Sequence, residues 1–117
     1  MSFLSKLFGA PVPGIDAAAA QAKLNEKPKP LVLDVREPSE YAAGHIAGST
    51  SIPLHQLPSR MSELPKDREI ICVCASGSRS SSAARQLASN GYTVLNLSGG
   101  MARWLRAGLP IKKGAGK

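Results

Sequence analysis

Three short apolar runs, Leu31-Val-Leu-Asp-Val35, Ile70-Ile-Cys-Val73 and Val94-Leu-Asn-Leu97, recur along the chain, each bounded by turn formers and separated by segments of helical character. Short runs without polar alternation are the mark of strands buried on both faces, as in a parallel sheet covered by helices. Parallel neighbours need long crossovers, and the helical segments between the runs supply them. Sites in open sheets of this kind form beyond the carboxyl ends of the strands. Asp34 and Cys74 both fall there.

The remaining elements follow from local signals. Asp16 is placed to cap an Ala-rich helix running to about Asn25, which Lys27-Pro-Lys-Pro30 ends. Glu37 to Gly44 suits a short helix closed by its glycine, and Ser49 to Ile52, halted by Pro53, a short strand. Leu54 to Leu64 reads as a helix broken or delayed by Pro58. The helix after Cys74 carries Ala84, Leu87 and Ala88 on one side and stops at Asn90-Gly91. A last helix from Met101 to Ala107 sets Trp104 against the sheet.

A chain of 117 residues makes one domain. We place it at 15–111, after a tail and linker over 1–14 and before a basic, flexible tail over 112–117. Phe3, Leu4, Leu7 and Phe8 have helical spacing, but an isolated eight-residue helix is marginal in water. Met1 to Phe8 therefore reads as a tail resting its apolar side on the domain rather than as a membrane contact.

The net charge of +7 points to anionic partners. Nucleic acid is disfavoured, because the basic residues form no dense run and aromatics, at 4%, offer few stacking surfaces. Cys72 and Cys74, one residue apart on a strand, are badly placed for a disulfide, and a lone Cys-x-Cys is a poor zinc signature. Free thiols suit a reducing compartment, no signal segment is evident, and the expected location is the cytoplasm. The reading calls for neither a metal nor a cofactor.

Cys74 carries the chemistry. It ends a strand and opens the loop Cys74-Ala-Ser-Gly-Ser-Arg79, with Ser80 in the helix that follows. A helix start offers unpaired N–H groups and the positive end of the helix dipole, which drive a thiol toward thiolate. Gly77 permits backbone angles other residues resist, and the small Ala75, Ser76 and Ser78 let the loop curl into an anion nest. Arg79 adds positive charge or ties loop carbonyls together. An ionised nucleophile needs no neighbouring histidine base; His45, in a Gly-His-Ile turn, is expected to make a structural hydrogen bond, and His55 to lie on the surface. Buried cysteine behaves as a small hydrophobe, so Cys72 is expected to be structural.

Four motifs in order, Leu33-Asp-Val-Arg-Glu-Pro-Ser-Glu-Tyr-Ala-Ala-Gly-His-Ile-Ala-Gly48, Ser51-Ile-Pro-Leu54, Cys74-Ala-Ser-Gly-Ser-Arg-Ser80 and Leu97-Ser-Gly-Gly-Met-Ala-Arg-Trp104, resemble those of the single-domain rhodaneses. The resemblance runs from about Ile15 to Pro110. It implies an α/β three-layer sandwich around a mainly parallel five-stranded sheet. It also implies that Cys74 takes a sulfane sulfur from a small anionic donor such as thiosulfate, and that the N–H groups of Ala75 to Ser80 hold the persulfide. Cyanide, a small thiol or a thioredoxin-like protein is the implied acceptor. Two other roles remain open, a sulfur-relay or binding module acting with a protein partner and, against the six-residue loop length, a phosphatase of the same fold, whose loop is longer by one residue. Ala75, Ser76 and Ser78 stand where thiosulfate-preferring members often carry Lys or Arg. Asp34 and Arg36 are read as supporting residues: they orient the loop or attract the donor, or else form a structural ion pair beneath it with Glu37 or Glu40.

Overall fold

The computed structural model describes residues 11–116. Five strands, β1 (Gly14–Ile15), β2 (Leu31–Asp34), β3 (Thr50–Ser51), β4 (Ile70–Val73) and β5 (Val94–Leu97), form one sheet in the order β1-β5-β4-β2-β3. Every pairing is parallel. The register sets Leu33 beside Cys72 and Cys72 beside Asn96 across the three central strands.

The helices are α1 (Ala17–Leu24), α2 (Pro38–Ala43), α3 (Leu57–Arg60), α4 (Ser78–Ser89) and α5 (Gly100–Arg106). Asp16 caps α1 through a 2.8 Å hydrogen bond from the Ala19 N–H to its carboxylate. The segment from Leu54 to Glu63 is broken, as Pro58 suggests, with a 3₁₀ turn on either side of α3. Alternate residues of the buried strands feed two cores. Leu33, Ile70 and Cys72 pack with Leu57, Ala83, Ala84 and Leu87 on one face. Val32, Ile71 and Val73 pack with Ala17, Ala20, Met101 and Trp104 on the other. Helices thus cover both faces, and the indole of Trp104 donates to the Pro110 carbonyl at 2.9 Å.

Two edges of the domain differ from the sequence expectation. Gly14, assigned to the linker, lies in β1, where Asn96 N–H donates to Pro13 O and Ser98 N–H to Ile15 O. Lys112, assigned to the flexible tail, exchanges both backbone hydrogen bonds with His45, and Gly114 N–H donates to Ala42 O. Backbone pairing therefore carries the fold beyond 15 and 111 at both ends, an effect no side-chain pattern announces. The Met1 to Phe8 segment lies outside the described residues. Among the described residues no helix is long and apolar enough to cross a membrane.

Candidate active site

β4, the central strand, is buried along its whole length and delivers Cys74 to its carboxyl end, where the residue is 1% exposed. The chain then turns through Gly77, whose φ of +103° is a left-handed conformation that favours glycine, and enters α4. The loop closes around the sulfur. Gly77 N–H donates to Cys74 Sγ at 3.1 Å, and Ser80 Oγ lies 3.3 Å from the same sulfur. Burial pushes the thiol up. The Ser80 hydroxyl and the N–H groups of Ser80, Gly77 and Ser76 outweigh it, so the thiol lies below its ordinary value. Three of the N–H groups from Ala75 to Ser80 thus act on the sulfur itself.

The loop is held from behind by α5. Met101 N–H donates to Cys74 O at 2.9 Å and Ala102 N–H to Ala75 O at 3.0 Å. These are first-turn donors of a helix, and the loop carbonyls satisfy them. A second brace went unrecognised in the sequence. Asn96 on β5 donates from Nδ2 to Gly77 O at 3.1 Å, and its Oδ1 lies 2.6 Å from Ser80 Oγ. The only signal available for it was one amide interrupting the apolar run Val94-Leu-Asn-Leu97, on the same strand face as Val94.

Arg79 brings positive charge to the site, and that charge interacts with Cys74. Its guanidinium ties no loop carbonyl but forms a two-pronged ion pair with Glu40 of α2, at 2.8 and 2.9 Å. Arg79 holds the Glu40 carboxyl down at about 2, and the carboxylate raises Arg79 in turn. Glu40 also receives the Glu37 N–H at 3.0 Å, so one carboxylate fastens the start of α2 to the start of α4.

Asp34 and Arg36 form the buried structural pair with no hydrogen bond to Glu37 or Glu40, while the Arg36 charge helps to hold the Glu40 carboxyl down. Arg36 Nε and Nη2 meet the two Asp34 carboxylate oxygens at 3.0 and 2.8 Å, and Nη2 also donates to Gly44 O at 2.7 Å. The pair pins the end of β2 to the end of α2, and no hydrogen bond links it to the Cys74 loop. His45 stacks on Tyr41 at 3.7 Å with Nδ1 2.8 Å from Tyr41 O, which is a structural placement. His55 is exposed and lies 3.7 Å from Glu37. Cys72 is buried on the same face as Cys74 and is free; burial, and secondarily the charge of Cys74, push its thiol up to about 12.

A loop of this kind can hold a thiolate, or a sulfur anion bonded to it. Comparison with known proteins agrees with the architecture. The family model for the rhodanese-like domain matches residues 16–107. A protein named sulfurtransferase from Allochromatium vinosum is 44% identical over 98 residues, covering 83% of this chain and 92% of the relative. Thiosulfate sulfurtransferase GlpE from Stutzerimonas stutzeri is 36% identical over 75 residues, covering 63% and 69%. The crystal structure of a rhodanese-related protein from Thermoplasma volcanium superposes with a TM-score of 0.81 at 33% identity, over 86% of this chain and 97% of that one. With the four motifs, the parallel sheet and the six-residue Cys74 loop all in place, this chain belongs to the rhodanese-like domain family.

Proposed function

We propose that the protein is a sulfurtransferase in which Cys74 carries the sulfur as a persulfide. The Cys74 thiolate attacks the outer, sulfane sulfur of an anionic donor such as thiosulfate. A new S–S bond forms, the donor's own S–S bond breaks, and sulfite leaves with the electron pair. A thiophilic acceptor, such as cyanide, a small thiol or a thioredoxin-like protein, then attacks the outer sulfur and releases the Cys74 thiolate. This is a two-step displacement of the kind that gives ping-pong kinetics. A reducing compartment such as the cytoplasm suits two free thiols of this kind.

The observation that carries the reading is the pair of contacts on Sγ, Gly77 N–H at 3.1 Å and Ser80 Oγ at 3.3 Å, in a six-residue loop. The same donors that favour the thiolate suit a persulfide anion one bond further out. Arg79, paired with Glu40, supports the cradle as a brace between α2 and α4, and Asp34 and Arg36 act at one remove by pinning the end of α2 to β2.

Mass spectrometry after incubation with thiosulfate should show a gain of one sulfur atom on Cys74, removed by a thiol or by cyanide. Cys74→Ser should abolish both the adduct and turnover. Full turnover by that variant would refute the mechanism, and Cys74-dependent hydrolysis of an aryl phosphate would point to the phosphatase reading instead.

A further inference from the structure

Ser80 stands between two acceptors. Its Oγ is 3.3 Å from Cys74 Sγ and 2.6 Å from Asn96 Oδ1, and a hydroxyl has one hydrogen to give. The orientation of the Asn96 amide is fixed independently, because Nδ2 donates to the Gly77 carbonyl at 3.1 Å, and this leaves Oδ1 facing Ser80. Oδ1 cannot donate, so the hydrogen on the 2.6 Å contact belongs to Ser80. While it points there, Ser80 presents only lone pairs to the sulfur, a suitable partner for the S–H of a neutral thiol and a poor one for a thiolate.

We propose that Asn96 is a positioning residue that sets the ionisation of Cys74 by competing for the Ser80 hydroxyl hydrogen. In the thiol state the hydrogen lies on Asn96 Oδ1, and Cys74 S–H can donate to Ser80 Oγ. When the thiol loses its proton to solvent, the hydroxyl turns about the Cβ–Oγ bond and donates to the sulfur anion. Asn96 Oδ1 then gives up that hydrogen bond. No heavy atom moves and no covalent bond other than S–H breaks. The register favours such a relay: Asn96 lies beside Cys72, one step behind Cys74, on the strand face that looks toward α4. The same amide secures the Gly77 carbonyl, so it also fixes the loop residue whose N–H contacts the sulfur.

This inference rests on Cys74 acting as a thiolate, and its test reads the thiolate rather than turnover. The ultraviolet absorbance of the thiolate is titrated against pH in the wild-type chain, Asn96→Leu, Ser80→Ala and the double variant. Removing the competitor leaves the Ser80 hydrogen on the sulfur. Asn96→Leu is therefore expected to raise the ratio of thiolate to thiol about threefold to tenfold at a pH below the midpoint, the equivalent of one ordinary hydrogen bond. Ser80→Ala lowers that ratio, and in its background Asn96→Leu has no further effect. A loss of thiolate in Asn96→Leu, or an equal effect with and without Ser80, would show a merely structural amide and overturn the proposal.

Should Asn96→Leu fold poorly, the wild-type chain supplies its own measurement. The ¹³C resonance of the Asn96 carboxamide should titrate with the midpoint of the thiolate absorbance, and this titration should vanish in Ser80→Ala. An amide resonance indifferent to the thiolate, or one that still titrates without the Ser80 hydroxyl, would sink the idea. A thiolate that behaves as expected but never gains sulfur would instead refute the sulfur-transfer reading alone.

Discussion

Two thiols one residue apart on the same strand face have opposite chemistry, and the loop accounts for the difference. Cys72 is buried in the same apolar core as Leu33, Ile70 and Leu87, and burial pushes its thiol up to about 12. Cys74, one step on, meets the donors of the α4 start and is lowered. Near neutral pH, iodoacetamide should therefore give a single adduct, on Cys74, with Cys72 unlabelled until the protein is unfolded; peptide mass mapping reads this directly. The two shifts act on stability in opposite senses. Cys72 has a folded value above its ordinary 9.0, so its neutral form favours the fold below about pH 9, and that contribution is lost as pH rises from there toward about 12. Cys74 has a folded value below its ordinary one, so its contribution is present above that ordinary value and lost as pH falls through the folded one. Cys72→Ala should cost roughly 1 kcal/mol in denaturant unfolding, leave the labelling of Cys74 intact, and soften the alkaline loss of stability.

The site is assembled from the starts of three helices and the ends of three strands, and α5 approaches the loop closely at Gly100. Gly100 has φ +56°, and a Cβ there would collide with the Cys74 carbonyl and the Ala75 backbone. The colliding atoms are main chain on both sides, so no side-chain rotation relieves them. Gly100→Ala should cost about 2 kcal/mol or more in stability. It should also slow alkylation of Cys74, because displacing the loop carbonyls detaches the sulfur from the Gly77 and Ser80 donors. Unchanged alkylation in a folded Gly100→Ala protein would show that α5 does not hold the loop in shape. Legibility at this scale divides along physical lines. β2, β4 and the start of α4 were legible because burial on both faces leaves uninterrupted apolar runs, and because Gly77 and small residues mark the turn. β1 was not, since two residues show no period and their strand character comes from pairing with β5. Arg79 and Glu40 are 39 positions apart, and the topology alone brings them together. Asn96 was hidden because an amide inside a strand carries no local signature of what it faces.

Charge is distributed unevenly over the whole molecule, in a way that favours the chemistry at Cys74. From Ile70 to Lys117 there are seven Lys and Arg and no Asp or Glu, so this half of the chain carries all of the +7 and the first 69 residues are neutral in sum. The same half supplies the Cys74 loop, α4 and α5. Glu40, borrowed from α2, neutralises Arg79, whereas neither Arg103 nor Arg106 forms an ion pair among the described residues. Arg103 folds its side chain back over Gly99, and a Cβ on Gly77 would lie 3.4 Å from the Gly99 nitrogen, so an unpaired cation stands close to the loop. Its field acts over about a Debye length and would attract the anionic donor of the proposed reaction before any contact is made. The second-order rate constant for persulfide formation from thiosulfate should accordingly fall roughly threefold to tenfold between low and high salt. Discharge of the preformed persulfide to a neutral thiol should change little. Reversing both charges, Arg103→Glu with Arg106→Glu, should slow the thiosulfate step at low salt and flatten its salt dependence, while thermal unfolding stays close to wild type because both side chains are exposed. Stopped-flow kinetics at several ionic strengths separates the cases: a thiosulfate rate indifferent to salt and to the double reversal would mean that this surplus charge is a solvated surface without influence on the donor.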